Sequence, residues 1–385
     1  MEVARRAAAP YNPRPMRFSV FARDPGSGAR VGRIDTSHGS FDTPAFMPVG
    51  TKAAVKTMPP DALRAAGVEI LLCNTYHLAL RPGEETIAKL GGLQKFMGWH
   101  GPILTDSGGY QVFSLAHLRR VTDEGVEFRS HLDGSTAFFT PERVVEIQTK
   151  LGSDILMPLD EPSPHPCERR EAERAAGRTH AWWKRSPQPQ DGRALFGIVQ
   201  GSTFPDLRRR CAEQIASTDP PGFSIGGLSM GEPASLLYEI VEGTAAALPA
   251  DRPRYLMGAG TPADIVRAVL AGVDMFDCIL PTRLGRNGWA FTSGGMLKVR
   301  NRRFEFDEAP LDPKCGCPCC RQFTRAYLRH CFHVEEILGL AMLSLHNLYY
   351  YSALMSRVRE AIPRGGLREI LREVESTGPP LRGRR

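Results

Sequence analysis

The chain has 385 residues, 42% of them hydrophobic and 24% charged, with a formal net charge of +7. That composition suits a globular protein with a large core and excludes a disordered chain, while the modest positive excess is compatible with a polyanionic partner without establishing one. No apolar run is long enough to span a bilayer, and Met1–Pro15 lacks the apolar core of a signal peptide, so no membrane is expected and the cytoplasm is the default compartment.

Met1–Pro15, rich in Ala, Arg and Pro, reads as a disordered tail. Arg17–Thr43 alternates short apolar runs with Gly and Asp turns and predicts an N-terminal antiparallel β cap. Strand-like runs then recur at Ala45–Gly50, Glu69–Tyr76, Ile103–Asp106, Ile155–Asp160, Leu195–Gln200, Gly222–Leu228, Arg254–Gly258 and Met275–Leu280. Helix-like stretches separate most of them: Pro141–Leu151 behind a Thr140 cap, Glu168–Lys184, Asp206–Ser217, Pro233–Ala247 and Pro262–Ala271. This alternation predicts an α/β fold, a (β/α)8 TIM barrel. A doubly wound open sheet is the alternative, and no GxGxxG follows the first strand to support it. Ser114–Phe139 is too long for one loop and carries turn signals at Asp123–Gly125 and Asp133–Gly134, which predict an inserted hairpin. A cysteine-rich subdomain follows the eighth strand over about 301–351, then a helix near Leu367–Glu375 and a basic tail over 376–385. Residues 16–375 are expected to form a single catalytic domain.

Active sites of such barrels lie at the C-terminal ends of the strands. Here those ends read Thr105-Asp-Ser-Gly-Gly109, Leu159-Asp-Glu161, Val199-Gln-Gly201, Ile225-Gly-Gly-Leu228, Met257-Gly-Ala-Gly260 and Asp277. A stable barrel does not need so many carboxylates, amides and glycines on one rim. Asp106 and Asp277, on strands three and eight, suit displacement at an anomeric carbon, one as nucleophile and one as acid/base. Asp160, Gln200 and the Gly227 backbone offer acceptors and donors to a flat heterocycle, and Tyr110 and Met257 are placed to sandwich it. Taken alone, Asp277 with Arg283 and Arg286 behind it also reads as a structural ion pair, with Pro281 and Thr282 breaking the strand.

Cys315, Cys317 and Cys320, followed by His346 after 25 intervening residues, have the make-up of a closed four-ligand site for a structural Zn2+ ion. Cys319 competes for a ligand place, and His330 and His333, on a helix expected over Thr324–Leu340, are rival fourth ligands. His131 and Asp133 in the inserted segment read as a hydrogen-bonded His and a turn Asp rather than a metal pair. Arg208-Arg-Arg210 reads as a solvated helix face, and Trp182-Trp183 as packing.

From about Phe18 to Glu375 the chain resembles the bacterial-type tRNA-guanine transglycosylases. The resemblance is carried by Asp106-Ser-Gly-Gly-Tyr-Gln111, Phe128-Arg-Ser-His-Leu-Asp-Gly134, Gly197-Ile-Val-Gln-Gly201, Gly226-Gly-Leu228, Met275-Phe-Asp-Cys278, Cys315-x-Cys317-x-x-Cys320 and His346-Asn347. It implies exchange of guanine at the wobble position of tRNAs with a GUN anticodon (Asp, Asn, His, Tyr) for a 7-deazaguanine base, in queuosine biosynthesis. By matching motif, Asp277 corresponds to the nucleophile and Asp106 to the proton donor and acceptor. Asp106, Ser107, Gly108, Gly109, Tyr110, Asp160, Gln200, Gly226, Gly227, Leu228 and Met257 correspond to the base pocket. Gly258, Ala259, Gly260, Thr261, Pro262, Ala263 and Asp264, with Thr282, Arg283, Leu284, Gly285 and Arg286, correspond to RNA-contacting segments. A homodimer is implied as well.

Four positions depart from the family's bacterial pattern: Pro162 where Cys is usual, Met230 where Val is frequent, and Leu284-Gly285 where Asn-Ala is commoner. Met230 narrows the space beyond Gly227 and Leu228, which favours a small 7-aminomethyl group over queuine's cyclopentenediol. In that reading the Leu228 carbonyl accepts from the ammonium, and Glu232 turns that carbonyl outward. Rival functions are a queuine-salvaging transglycosylase, an inert tRNA-binding partner of the same fold, an archaeal-type enzyme acting in the D-arm, and a metal-dependent barrel hydrolase.

Overall fold

A computed structural model of the chain describes residues 15–115 and 119–378. The expected N-terminal tail up to residue 14, and residues 379–385 of the C-terminal one, lie outside the described residues. Strands β1 (Arg17–Arg23), β2 (Arg30–Thr36) and β3 (Gly39–Thr43) form the antiparallel cap. The barrel strands begin with β4 (Ala45–Gly50), β5 (Leu71–Cys73) and β6 (Ile103–Thr105). An insertion follows as β7 (Arg119–Val121), β8 (Val126–Arg129) and β9 (Thr136–Phe139). The barrel resumes with β10 (Ile155–Leu156), β11 (Ala194–Leu195), β12 (Gly197–Val199), β13 (Phe223–Ile225), β14 (Arg254–Leu256) and β15 (Met275–Cys278).

The parallel sheet runs β11-β10-β6-β5-β4-β15-β14-β13-β12. Its two end strands are halves of one strand, interrupted at Phe196. The Phe196 N–H donates to the Leu156 carbonyl at 3.0 Å, and the Gly197 N–H to Gly222 at 3.0 Å. One strand therefore pairs at both ends of the order, and the (β/α)8 barrel closes. Parallel strands are covered on both faces, so their short all-apolar runs bury outright, as the pattern predicts. Ile34 and Phe41 of the cap join Met47, Leu72, Leu104, Met157, Phe196, Ile198 and Met275 in one buried cluster that fills the barrel.

Helices start where the capping chemistry places them. The Thr140 and Thr261 hydroxyls accept from the Arg143 and Asp264 N–H groups, each at 3.1 Å, with Pro141 and Pro262 in the first turn. Several expectations are corrected. The insertion is a three-stranded antiparallel sheet rather than a hairpin, preceded by a helix over Gly109–Leu115. The run ending at Leu280 stops as a strand at Cys278, because Pro281 favours the first turn of the helix Leu280–Arg286. The single helix over Thr324–Leu340 is two, Arg325–His333 and Ile337–Ala361. The C-terminal helix extends to Thr377, so Ser376 and Thr377 belong to it and not to the tail. Beyond the barrel, the hairpin β16 (Trp289–Thr292) and β17 (Gly295–Lys298) shares a separate core with Phe304, Leu328, Phe332 and Leu343.

Candidate active site and metal centre

Strand periodicity carries four site residues to one mouth. Side chains two apart along a strand share a face. Leu104, Ile198, Tyr255 and Met275 point into the barrel core. Two residues further on, Asp106, Gln200, Met257 and Asp277 therefore reach the C-terminal rim.

Asp106 is almost wholly buried. Its Oδ1 accepts from the Thr75 and Gly108 N–H groups at 2.8 and 3.2 Å, and its Oδ2 from Asn74 Nδ2 at 2.5 Å. Burial pushes its carboxyl up to about 6, with the charge of Asp277 adding to the rise and the three bonds opposing it. The charge of Asp277 is thus felt at Asp106. Asn74 and Thr75 were not singled out from sequence. Their signal was a polar pair directly after an apolar strand.

Asp160 is held by Ser107 Oγ at 2.8 Å and Gln200 Nε2 at 2.7 Å, and burial raises its carboxyl to about 6 as well. Gln200 Oε1 is buried without a partner among the described residues. It lies where a Cβ on Gly227 would sit, 2.2 Å away, and Gly227 has a φ of +64°. Only glycine permits both, so the backbone and amide form a bare polar ledge. Arg208 corrects the solvated-face expectation. Its guanidinium is buried and donates to the carbonyls of Ser202, Val199 and Gly226 at 2.7, 3.3 and 2.8 Å, while Arg209 and Arg210 face solvent. Arg208 thereby fixes the turn that carries Gly227. Glu232 accepts from the Ser229 and Met230 N–H groups at 2.6 and 2.8 Å, on the turn that follows Leu228.

Asp277 is not in an ion pair with Arg283 or Arg286. Its Oδ1 accepts from the Tyr255 hydroxyl at 2.6 Å and the Gly258 N–H at 2.8 Å. Burial raises its carboxyl, and these two bonds hold it back. Tyr255, buried beside that charge, is raised well above the ordinary phenol value and stays a donor. Sequence reasoning missed Tyr255. Its signal was a tyrosine two residues before Met257 on the inward face.

Of the segments matched to RNA contact, Ala259, Gly260, Pro262, Asp264, Thr282 and Gly285 are buried. Asp264 accepts from the Tyr238 hydroxyl at 2.8 Å, so its side chain faces the protein. Gly258 and Arg283 are exposed, and Thr261, Ala263, Leu284 and Arg286 are half-buried. Arg286 Nη1 is buried without a partner among the described residues, and burial beside Arg283 lowers its guanidinium. Tyr110 is 54% exposed and lines a cavity of about 530 Å3 with Phe113, Glu161, Pro162 and Met230. Asp106, Asp160 and Asp277 are not among the residues that line it.

Apart from the rim, the ligand atoms of Cys315, Cys317, Cys320 and His346 all lie within 4.8 Å of one another. Three thiols and an imidazole suit a tetrahedral zinc ion and leave no open position for water. His346 Nδ1 faces Cys317 and Cys320 at 3.5 and 3.3 Å, and its Nε2 is 2.7 Å from the Phe291 carbonyl, which fixes the tautomer. Leu328 and Phe332 anchor the helix Arg325–His333 in the core, which turns the rival ligands His330 and His333 to solvent. Cys319 is buried outside the cluster. In the insertion, His131 Nδ1 lies 2.9 Å from the Tyr76 hydroxyl and Asp133 caps its own turn through Ser135. Trp182 and Trp183 are buried packing residues.

Two acids sharing one mouth around a flat polar ledge mark a barrel enzyme of glycosidic-bond exchange. Residues 24–379 match the family model for queuine tRNA-ribosyltransferase. Three proteins of that name are similar over most of the chain. That of Caldanaerobacter subterraneus subsp. tengcongensis is 53% identical, covering 93% of this chain and 96% of its own. That of Pelotomaculum thermopropionicum is 52% identical, covering 90% and 95%. That of Symbiobacterium thermophilum is 51% identical, covering 92% and 89%. The chain belongs to this family, the tRNA-guanine transglycosylases of queuosine biosynthesis. No described helix is long and apolar enough to cross a membrane.

Proposed function

We propose that the protein replaces guanine at the wobble position of GUN-anticodon tRNAs with 7-aminomethyl-7-deazaguanine, by two displacements at the ribose anomeric carbon. Asp277 attacks that carbon, the bond to guanine breaks, and Asp106 gives the departing base a proton. The incoming base then loses a proton to Asp106, attacks the same carbon and displaces Asp277. Two inversions restore the configuration, and one glycosidic bond replaces another, so no nucleotide cofactor is consumed. Asp160, Gln200 and the Gly227 backbone read the polar edge of the base. The target nucleotide leaves its stack to reach them, at a cost of a few kcal/mol.

The observation that carries this reading is the asymmetry of Asp277. Both of its hydrogen bonds land on Oδ1, which leaves Oδ2 as the attacking oxygen. Asp277→Asn should abolish the covalent RNA adduct on denaturing gels, and an adduct at the wild-type level would remove Asp277 from the nucleophile's role. Arg283 and Arg286 are proposed to meet tRNA phosphates. A structural zinc ion held by Cys315, Cys317, Cys320 and His346 cross-links the subdomain and takes no part in the chemistry. The enzyme is proposed to be a cytoplasmic homodimer, with residues 16–375 as one catalytic domain.

A second reading rests on the cavity beside Met230 and Pro162, which leaves room for a bulkier substituent than aminomethyl. Competition between 7-aminomethyl-7-deazaguanine and queuine decides between the two. A higher kcat/KM for queuine would make this a salvage enzyme.

A further inference from the structure

The helix Ile337–Ala361 carries the metal ligand His346, and neighbouring positions on it touch the segments that flank Asp277. Asn347 is fully buried and spends its whole amide on three backbone groups. Its Nδ2 donates to the carbonyls of Pro281 and Trp289 at 2.9 and 3.0 Å, and its Oδ1 accepts from the Phe291 N–H at 3.0 Å. Phe291 is thus held at both ends, since its carbonyl meets His346 Nε2. One turn earlier, Ser344 Oγ lies 3.4 Å from the Thr282 carbonyl. Here the two helices touch backbone to backbone: a Cβ on Gly285 would sit 2.6 Å from the Ser344 nitrogen. One turn later, the Tyr351 hydroxyl donates to the Gly260 carbonyl at 2.5 Å. Gly260 in turn lies against Cys278, the residue after the nucleophile, where a Cβ would come within 2.2 Å.

These contacts close a loop around Asp277. Pro281 and Thr282 begin the helix that follows it, and Gly258, whose N–H holds Oδ1, is two residues before Gly260. We propose that Asn347 and Tyr351 are positioning residues through which the Cys3His site sets the orientation of the Asp277 carboxylate. His346 would be immobilised by a metal held at that site, and the helix Ile337–Ala361 carries its position by whole turns to Asn347 and Tyr351. The inference rests on Asp277 being the nucleophile.

Tyr351→Phe keeps the ring, which packs on Phe46 at 4.7 Å and Phe291 at 5.3 Å, and removes only the bond to Gly260. The variant is measured at saturating tRNA for the rate of covalent adduct formation. Zinc content, melting temperature and the affinity of the RNA-free enzyme for 7-aminomethyl-7-deazaguanine are measured alongside. Adduct formation should fall about three- to tenfold, the scale of one lost hydrogen bond, with a small fall in melting temperature and with zinc content and base affinity as in the wild type. Asn347→Ser, which removes the amide from Pro281, Trp289 and Phe291 together, should slow the same step further and again spare base affinity. An unchanged rate in both variants overturns the proposal. So does a rate that falls only together with zinc content or base affinity, because the residues are then structural. Asp277→Asn serves as the reference: if that variant still forms adduct, the nucleophile assignment has failed, and not the helix coupling alone.

Discussion

Replacing Tyr255 by phenylalanine separates the two displacements. The Tyr255 hydroxyl is 2.6 Å from Asp277 Oδ1, in a buried setting where it remains a donor. A hydrogen bond to a charged partner contributes about 1.5–3 kcal/mol. That bond is strongest when Asp277 carries full charge and weakest when it is esterified to ribose. In the second displacement the carboxylate leaves and charge develops on it, so losing the donor should slow this step by about 10- to 150-fold. In the first displacement charge is consumed, so the step should be unchanged or faster. Asp277 is already raised by burial, and without the hydroxyl it rises further. Each rate is therefore followed across a pH series and taken on the alkaline plateau, so that the comparison is between ionised carboxylates. Rapid-quench measurements of adduct formation without base, and of adduct decay with saturating base, give the two rates. The variant should accumulate ribosyl-enzyme. Slowed formation with normal decay would refute the reasoning.

His346→Ala should lower zinc content and folded yield together, since the site stands on a closed ligand set with its own core; loss of activity in a fully folded, zinc-loaded variant would refute a structural role. The affinity of the free base should fall as pH drops through about 6, because Asp160 is proposed to accept from the base as a carboxylate and its proton returns at that pH. The fall approaches tenfold per pH unit, and an Asp160→Asn enzyme, weak throughout, should show a flat profile by calorimetry; the same slope in that variant would move the titration to another group. Arg286→Ala should weaken tRNA binding, with a shallower salt dependence in filter-binding titrations, and leave base affinity intact; equal loss of both would place Arg286 in the base pocket.

The eight barrel strands and the helices from Pro141 to the eighth strand were legible in the chain because their local signals agree with the global fold, whereas the run expected as a strand over Glu69–Tyr76 pairs only as Leu71–Cys73 and gives way to a helix at Thr75. Apolar runs such as Ile103–Thr105 and Met275–Cys278 are too short for helices and carry a carboxylate just past or just before their last residue, while Thr140-Pro141 and Thr261-Pro262 start helices by themselves. Asp106, Asp160, Gln200 and Asp277 could be found because a polar residue ending a buried strand costs stability unless it is used. The spacing of Cys315, Cys317 and Cys320 likewise carries its chemistry in the sequence. Tertiary structure decided what depends on which side of an element faces which neighbour. Arg208 looked solvated beside Arg209 and Arg210, yet its helix turns it under the Gly226 carbonyl. His346 is the imidazole that joins the three thiols, because core packing turns His330 and His333 outward. Tyr255 meets Asp277, and Tyr351 meets Gly260, only because the barrel and the subdomain helix bring distant segments within hydrogen-bond reach. Hydrogen bonds across such separations leave no periodicity in the chain, since they are set by the packing of finished elements rather than by the propensity of any one of them.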